Sequence, residues 1–348
     1  MSAATDDHAA LRTPAADSPR WKQRPEGGGR FAIWLIRSIA RHAGRKVARL
    51  LLGPITLYFL VLRGPERRAS IAYLERVLGR PARWRDGARH IHTFAATILD
   101  RVFLLGGQLQ QFEFTISGLD EVHAQLDKQH GVLLFGSHLG SFEVMRVLAR
   151  QRPDYVIRVV LDKGHNPAMT QLLDALDPAI AANVIDAGQD GPSLMLAIQQ
   201  ALSAGQLVAL LVDRVQAGDV AQPVSFLGAQ APFPRAPWLI ASVLRVPVVL
   251  AFGLYRGGNR YDLAFESFSD GLHVPRSERQ HALAALIQRY ATRLEHYARL
   301  APYNWFNFYD FWQSPTTHAA AEAATTPSSA QAVAGDAAGR HDGAVRGG

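Results

Sequence analysis

Apolar positions recur along this chain in two periods, and the change between them divides it. From Phe31 to Leu105 the spacing is helical. In Phe31–Leu51, Ile36, Ile39, Ala40, Ala43, Val47 and Leu50 form one stripe, and Arg37, Arg41, Arg45 and Arg49 form another. A basic stripe beside an apolar one is the pattern of a helix lying at a membrane interface. Leu50–Leu62 then runs thirteen residues without a charge and ends against Arg63, Arg67 and Arg68. That is short of the roughly 20 apolar residues a crossing helix needs, so a segment dipping into one leaflet is expected. A buried core helix with a solvated basic face is the alternative. Pro65–Leu78 and Arg83–Leu105 read as two amphipathic helices.

Beyond Phe112, short apolar runs alternate with helical stretches. Strands are predicted at Phe112–Ser117, Val132–Phe135, Tyr155–Leu161, Asn183–Ile185, Leu207–Val212, Val224–Phe226, Val246–Leu254 and Tyr261–Phe268. Helices are predicted at Leu119–Gln129, Phe142–Gln151, Ala168–Leu176, Ser193–Ser203, Ala236–Val243 and Pro275–Arg299, the last with Ser277 as N-cap. The alternation predicts an α/β fold: a largely parallel central sheet with helices on both faces, preceded by membrane-associated N-terminal helices. Tyr303–Trp312 holds seven aromatic residues in ten, which reads as a cap on the core, a wall of an apolar channel or a membrane-facing rim.

Composition sets the boundaries. Residues 1–29 hold almost no large apolar residues and residues 314–348 no aromatic one, and both read as disordered tails. Between them lie a basic amphipathic and apolar membrane-association segment, 30–64, and an α/β domain, 65–313, whose helical lead-in is 65–106. The net charge of +7 sits at one end: residues 1–76 hold 14 Lys/Arg against 6 Asp/Glu, and the remainder 23 against 24. A near-neutral body argues against nucleic acid, and a basic lead segment favours an anionic membrane surface. The chain has no cysteine, which removes disulfides, thiolate nucleophiles and Cys-based metal sites. His90 and His92, two apart, fall on different faces of a helix and make a poor metal pair, so no metal is expected.

The chemistry concentrates in Gly131–Arg146, GVLLFGSHLGSFEVMR, a buried strand, a tight turn and a helix start. There is no Walker A sequence, GxGxxG, HExxH or GxSxG; Gly136–Gly140 reads G-S-H-L-G. His138 and Glu143, five apart, would differ by about 140° on a continuous helix. With His138 in the turn and Glu143 in the first helical turn they can converge, as a base oriented by a carboxylate. The same two residues also suit a plain turn histidine and a first-turn carboxylate favoured by the helix dipole.

H-L-G-S-F-E matches the H-x4-D/E signature of the lysophospholipid acyltransferase superfamily. The later pieces resemble its bacterial lipid A late-acyltransferase branch, the lauroyl and myristoyl transferase-like enzymes, over roughly Phe31–Trp312. These pieces are Arg158 on the next strand, Asn166–Pro167, Asp213 at a strand end, Phe226–Leu227–Gly228, the Ala/Pro-rich start of a helix at Ala231–Pro237, Val246–Pro247–Val248 and the terminal Trp/Phe cluster. The resemblance implies an O-acyltransferase on the cytoplasmic face of the inner membrane. It would move a fatty acyl group from acyl carrier protein or coenzyme A to a hydroxyl of a lipid or glycolipid, without a cofactor. His138 would be the base and Glu143 its holder. Arg158 would supply positive charge to the oxyanion or an acceptor phosphate, Asn166 and Asp213 would bind substrate, Phe226 would line the pocket and Gly228 would turn beside it. The chain departs from the branch at Ser137, where many members carry Asn, at His165 before Asn166–Pro167, and at Arg214, where Asp–Gln is usual. The acceptor therefore stays open among a lipid A precursor, another glycolipid, an ornithine-type lipid and a polyene pigment lipid. An acyl-thioester hydrolase and a non-catalytic lipid-binding protein are the competing readings.

Overall fold

The computed structural model describes residues 44–127, 131–145, 152, 155–164, 167–176, 181–216, 219–274 and 276–312. Both expected tails, Arg37 and Arg41 of the basic stripe, Asn166 and the chain after Met145 in the expected 142–151 helix lie outside the described residues. α1 (Leu52–Leu62) forms in the segment 30–64, and the two helices of the expected lead-in follow as α2 (Gly64–Leu78) and α3 (Trp84–Leu105). The alternating part supplies β1 (Glu113–Ser117), α4 (Leu119–Leu126), β2 (Val132–Gly136), β3 (Ile157–Leu161), α5 (Pro167–Leu176), β4 (Val184–Asp186), α6 (Gly191–Ser203) and β5 (Leu207–Leu211). Then come β6 (Ala221–Phe226), β7 (Ala229–Pro234), α7 (Ala236–Leu244), β8 (Val248–Gly257), β9 (Arg260–Ser269) and α8 (Arg279–Leu300).

Seven strands make one sheet in the order β1-β9-β8-β2-β5-β3-β4. β8, β2, β5, β3 and β4 run parallel, whereas β9 pairs antiparallel to β8 and carries β1 with it. The reversal follows from the short Gly258–Asn259 link, since a parallel return needs a crossover of a dozen residues or more. β2 lies inside the sheet, and all five of its residues are buried. Its side chains alternate: Leu133 and Phe135 enter a core with α2, α6, α7 and α8, and Val132 and Leu134 enter a second core with α1, α3 and α4. Helices thus cover both faces of the sheet.

Three local expectations are corrected. Ala229–Pro234, read only as part of the approach to the helix at Ala236, is itself a strand. It pairs with β6 as a two-stranded ribbon in which Pro223 faces Pro232, an arrangement open to proline because each strand keeps a free edge. The link, Leu227 at φ 50° and Gly228 at φ 78°, is the left-handed pair that a two-residue hairpin requires. Ser277 sits in a short 3-10 turn, Arg276–Glu278, and Glu278 occupies the N-cap position of α8 without a side-chain cap bond. After β2 the chain forms a 3-10 turn, Phe142–Met145.

The N-terminal segment is fastened to the sheet by two arginines of its basic stripe. Arg45 binds the buried Asp100 carboxylate through Nε and Nη2, at 2.8 and 2.9 Å, and Tyr261 donates to the same group at 2.9 Å. Arg45 and Arg49 both donate to the carbonyl of Gly258. These two charges therefore face inward, a placement that helical periodicity leaves open. The outward side is apolar, with Leu50 76 %, Leu57 61 %, Val61 64 % and Leu62 65 % exposed. Among the described residues no single helix is long and apolar enough to cross a membrane. The pair Gly44–Leu62 and Gly64–Leu78, bent by 97°, passes that test together by length and composition.

Candidate functional site

The site is built where β2 and β5 end side by side. Gly136 is level with Leu211, so the next residues of the two strands, Ser137–His138 and Val212–Asp213, emerge together. Two glycines let the turn pack closely against β8. A Cβ on Gly140, at φ 74°, would stand 1.9 Å from the carbonyl oxygen of Gly253, and a Cβ on Gly253 would stand 2.3 Å from that of Ser141. Backbone bonds then hold the turn on both sides. Ser141 N–H donates to Gly253 at 2.8 Å, Gly140 N–H to Asn304 at 2.8 Å, and Phe306 N–H to His138 at 2.9 Å. The aromatic segment 303–312 is thus a core cap that also clamps the histidine turn.

His138 Nδ1 lies 2.7 Å from Asp213 Oδ1. The other oxygen, Oδ2, accepts the backbone N–H of His138 at 3.0 Å and the indole N–H of Trp305 at 2.9 Å. Asp213 is fully buried. Burial alone would raise its pKa. Attraction to His138, the bond from its ring, Arg214 and the Trp305 indole outweigh burial and hold the carboxyl down at about 2. An ionised acceptor at Nδ1 fixes the proton there and leaves Nε2 as the free base. The His138 side chain is 31 % exposed, and its pKa is lowered, first by lost hydration and then by Arg214, against the pull of Asp213. A neutral imidazole at neutral pH, with Nδ1 anchored, can accept a proton from a hydroxyl.

The carboxylate on His138 is therefore Asp213, in place of the expected Glu143. Glu143 faces elsewhere: Oε1 forms an ion pair with Arg101 of α3 at 2.5 Å, and Oε2 accepts the Ser141 hydroxyl at 2.8 Å. Arg158 is also not at the site. It is level with Val208 and, through β5, with Leu133, five residues short of His138, or roughly 16 Å of extended chain. Its Nε donates to Gln206 at 3.0 Å, below the start of β5. Phe226 is fully buried and packs on Trp305, with ring centroids 5.2 Å apart, so it supports the site from behind rather than lining an open pocket. Gly228 turns the hairpin. Among the described residues no group of three or more His, Asp or Glu converges as a metal site.

Trp305 and His90 back the site, in roles that residue patterns did not indicate. His90, fully buried, bonds the Trp305 carbonyl through Nε2 at 2.9 Å and the Ser70 hydroxyl through Nδ1 at 2.8 Å. Trp305 O can only accept, so Nε2 carries the proton and Ser70 donates to Nδ1. Burial holds the His90 pKa at about 4, against the favourable bond to Trp305. In the unfolded chain the ring titrates near 6.5. Its contribution to stability is thus complete above pH 6.5 and is lost as pH falls from 6.5 toward 4. A urea midpoint lower at pH 5 than at pH 7.5 is expected, with a smaller drop in His90→Gln. Equal pH dependence in the two proteins would contradict this.

A model of the family described as bacterial lipid A biosynthesis acyltransferase matches residues 99–314, well over half of the chain and all of the site. No curated protein matches the chain.

Proposed function

The chain belongs to the bacterial lipid A biosynthesis acyltransferase family and is an acyltransferase, and from this premise we propose a membrane-associated O-acyltransferase in which His138, oriented by Asp213, is the general base. The acceptor is a hydroxyl of a lipid or glycolipid, and the donor is an acyl thioester on acyl carrier protein or coenzyme A. Nε2 takes the hydroxyl proton as the oxygen attacks the thioester carbonyl. The tetrahedral intermediate collapses with loss of the thiolate, which recovers the proton from Nε2. No acyl-enzyme is required, which suits a chain without cysteine or a nucleophile elbow. The observation carrying this reading is the 2.7 Å bond between His138 Nδ1 and a buried, ionised Asp213. Glu143, fixed by Arg101, holds the start of the following turn.

The exposed apolar side of α1, with Arg63, Arg67 and Arg68 behind it, suits an anionic bilayer on the cytoplasmic side of the inner membrane. Asp at both Leu57 and Val61 is expected to shift the chain from pelleted membranes to the soluble fraction; unchanged pelleting would remove α1 as the contact.

Mass spectrometry of total lipids tests the reaction. Cells producing the protein are expected to contain a lipid species heavier by one acyl group, and cells producing His138→Ala are expected to lack it. Free fatty acid without a heavier lipid would make the protein a thioester hydrolase. The heavier species persisting in His138→Ala would remove His138 from the chemistry.

A further inference from the structure

Arg214 follows Asp213 at the end of β5, and its side chain turns back toward the same histidine. Nη2 donates to the carbonyl of Phe306 at 2.5 Å, and the N–H of the same Phe306 donates to the carbonyl of His138 at 2.9 Å. One residue thus ties the guanidinium to the histidine turn. The guanidinium carbon lies 5.7 Å from the centre of the Tyr309 ring. The Nε atom of Arg214 is buried and has no hydrogen-bond partner among the described residues. A cation held by a carbonyl and an aromatic face, with donor capacity unspent, is a pre-set electrostatic device. Arg158, the cation expected here by resemblance, lies near the opposite end of the strands.

We propose that Arg214 is a catalytic residue of the acyl transfer, placing its guanidinium on the oxyanion that forms from the thioester carbonyl. This rests on the proposed role of His138. As the acceptor oxygen bonds to the carbonyl carbon, its proton passes to Nε2 and the carbonyl π electrons move onto oxygen. Charges then alternate across the site: Asp213 negative, His138 positive, oxyanion negative, Arg214 positive. When the carbon–sulfur bond breaks, the carbonyl re-forms and the thiolate takes the proton from Nε2. In the resting state Arg214 opposes protonation of His138, and so keeps it a base. Among the described residues the other ionised groups acting on the imidazole are Asp213, just past β5, and Arg101 from α3, whose charge is paired with Glu143.

The test uses the full chain with dodecanoyl-coenzyme A as donor probe and vesicles of total bacterial lipid as acceptor, reading coenzyme A released. Arg214→Gln is expected to lower kcat by roughly a hundredfold with little change in KM for the thioester, and Arg214→Lys is expected to retain more turnover than Arg214→Gln. A proton-NMR titration of His138 is expected to move upward in Arg214→Gln, which a merely structural role would not produce. Wild-type kcat in Arg214→Gln, a defect confined to KM for the lipid, or an unmoved His138 titration would each overturn the assignment. In that case inactivity of His138→Ala in the same assay would leave the general-base reading standing. A wild-type chain releasing no coenzyme A above His138→Ala would overturn both.

Discussion

Asp213→Asn is expected to lower the rate of acyl transfer by about a thousandfold or more while leaving the protein folded. The reason lies in how the two carboxylate oxygens are used. Oδ2 accepts two N–H groups, from the His138 backbone and the Trp305 indole, and Oδ1 faces His138 Nδ1. Asn carries one oxygen, and the two fixed donors claim it. Its NH2 group then points at Nδ1, which must become an acceptor, so the ring proton moves to Nε2 and the base is lost. Glu143→Gln makes the contrast. Glu143 bonds Arg101 and Ser141 rather than the imidazole, so weakening it leaves the tautomer unchanged and costs less activity. Thioester turnover and thermal melting of the two variants check this. A larger kcat loss in Glu143→Gln than in Asp213→Asn would return the orienting role to Glu143.

Gly140→Ala is expected to cause the largest loss of stability of any single methyl addition at the site. The added Cβ would be 1.9 Å from the Gly253 carbonyl oxygen and 2.8 Å from its carbon. Both belong to the backbone of β8, which cannot rotate away as a side chain can. The residue also holds φ 74°, a left-handed conformation that costs a non-glycine residue roughly 1–2 kcal/mol. Overpacking adds about 1–3 kcal/mol, so a loss of about 2–5 kcal/mol is expected. The displaced turn carries His138, and activity should fall with stability. Gly228→Ala is the control: its φ is 78°, but a Cβ there would have no neighbour within 4 Å. Only the conformational cost remains. Urea midpoints compare the two, and equal losses would show that the contact with Gly253 matters little.

The parts of this fold legible in the residues are those whose signal is local. α2 and α3 are long and amphipathic, and their predicted bounds fall within a residue of the observed ones. β2 announces itself as an apolar run between glycines, and His138 as the polar residue after it. The partner of His138 was not legible in the same way. Asp213 lies 75 residues on, and only the adjacency of β2 and β5 brings it there, a fact of strand order that periodicity does not carry. Glu143 looked right because it is near in sequence. Arg158 was implied by the resemblance, as a cation on a neighbouring strand, but register places it near the wrong end. Trp305 showed only as part of an aromatic cluster, and its indole bond to Asp213 depends on the cap folding back across β8.

The central claim is that Asp213 presents Nε2 of His138 as the base, and nitrogen-15 NMR of the imidazole tests it most directly. At pH 7.5 the folded protein is expected to show the neutral tautomer with the proton on Nδ1 of His138, moving to Nε2 in Asp213→Asn. A wild-type ring already protonated at Nε2 would contradict the account.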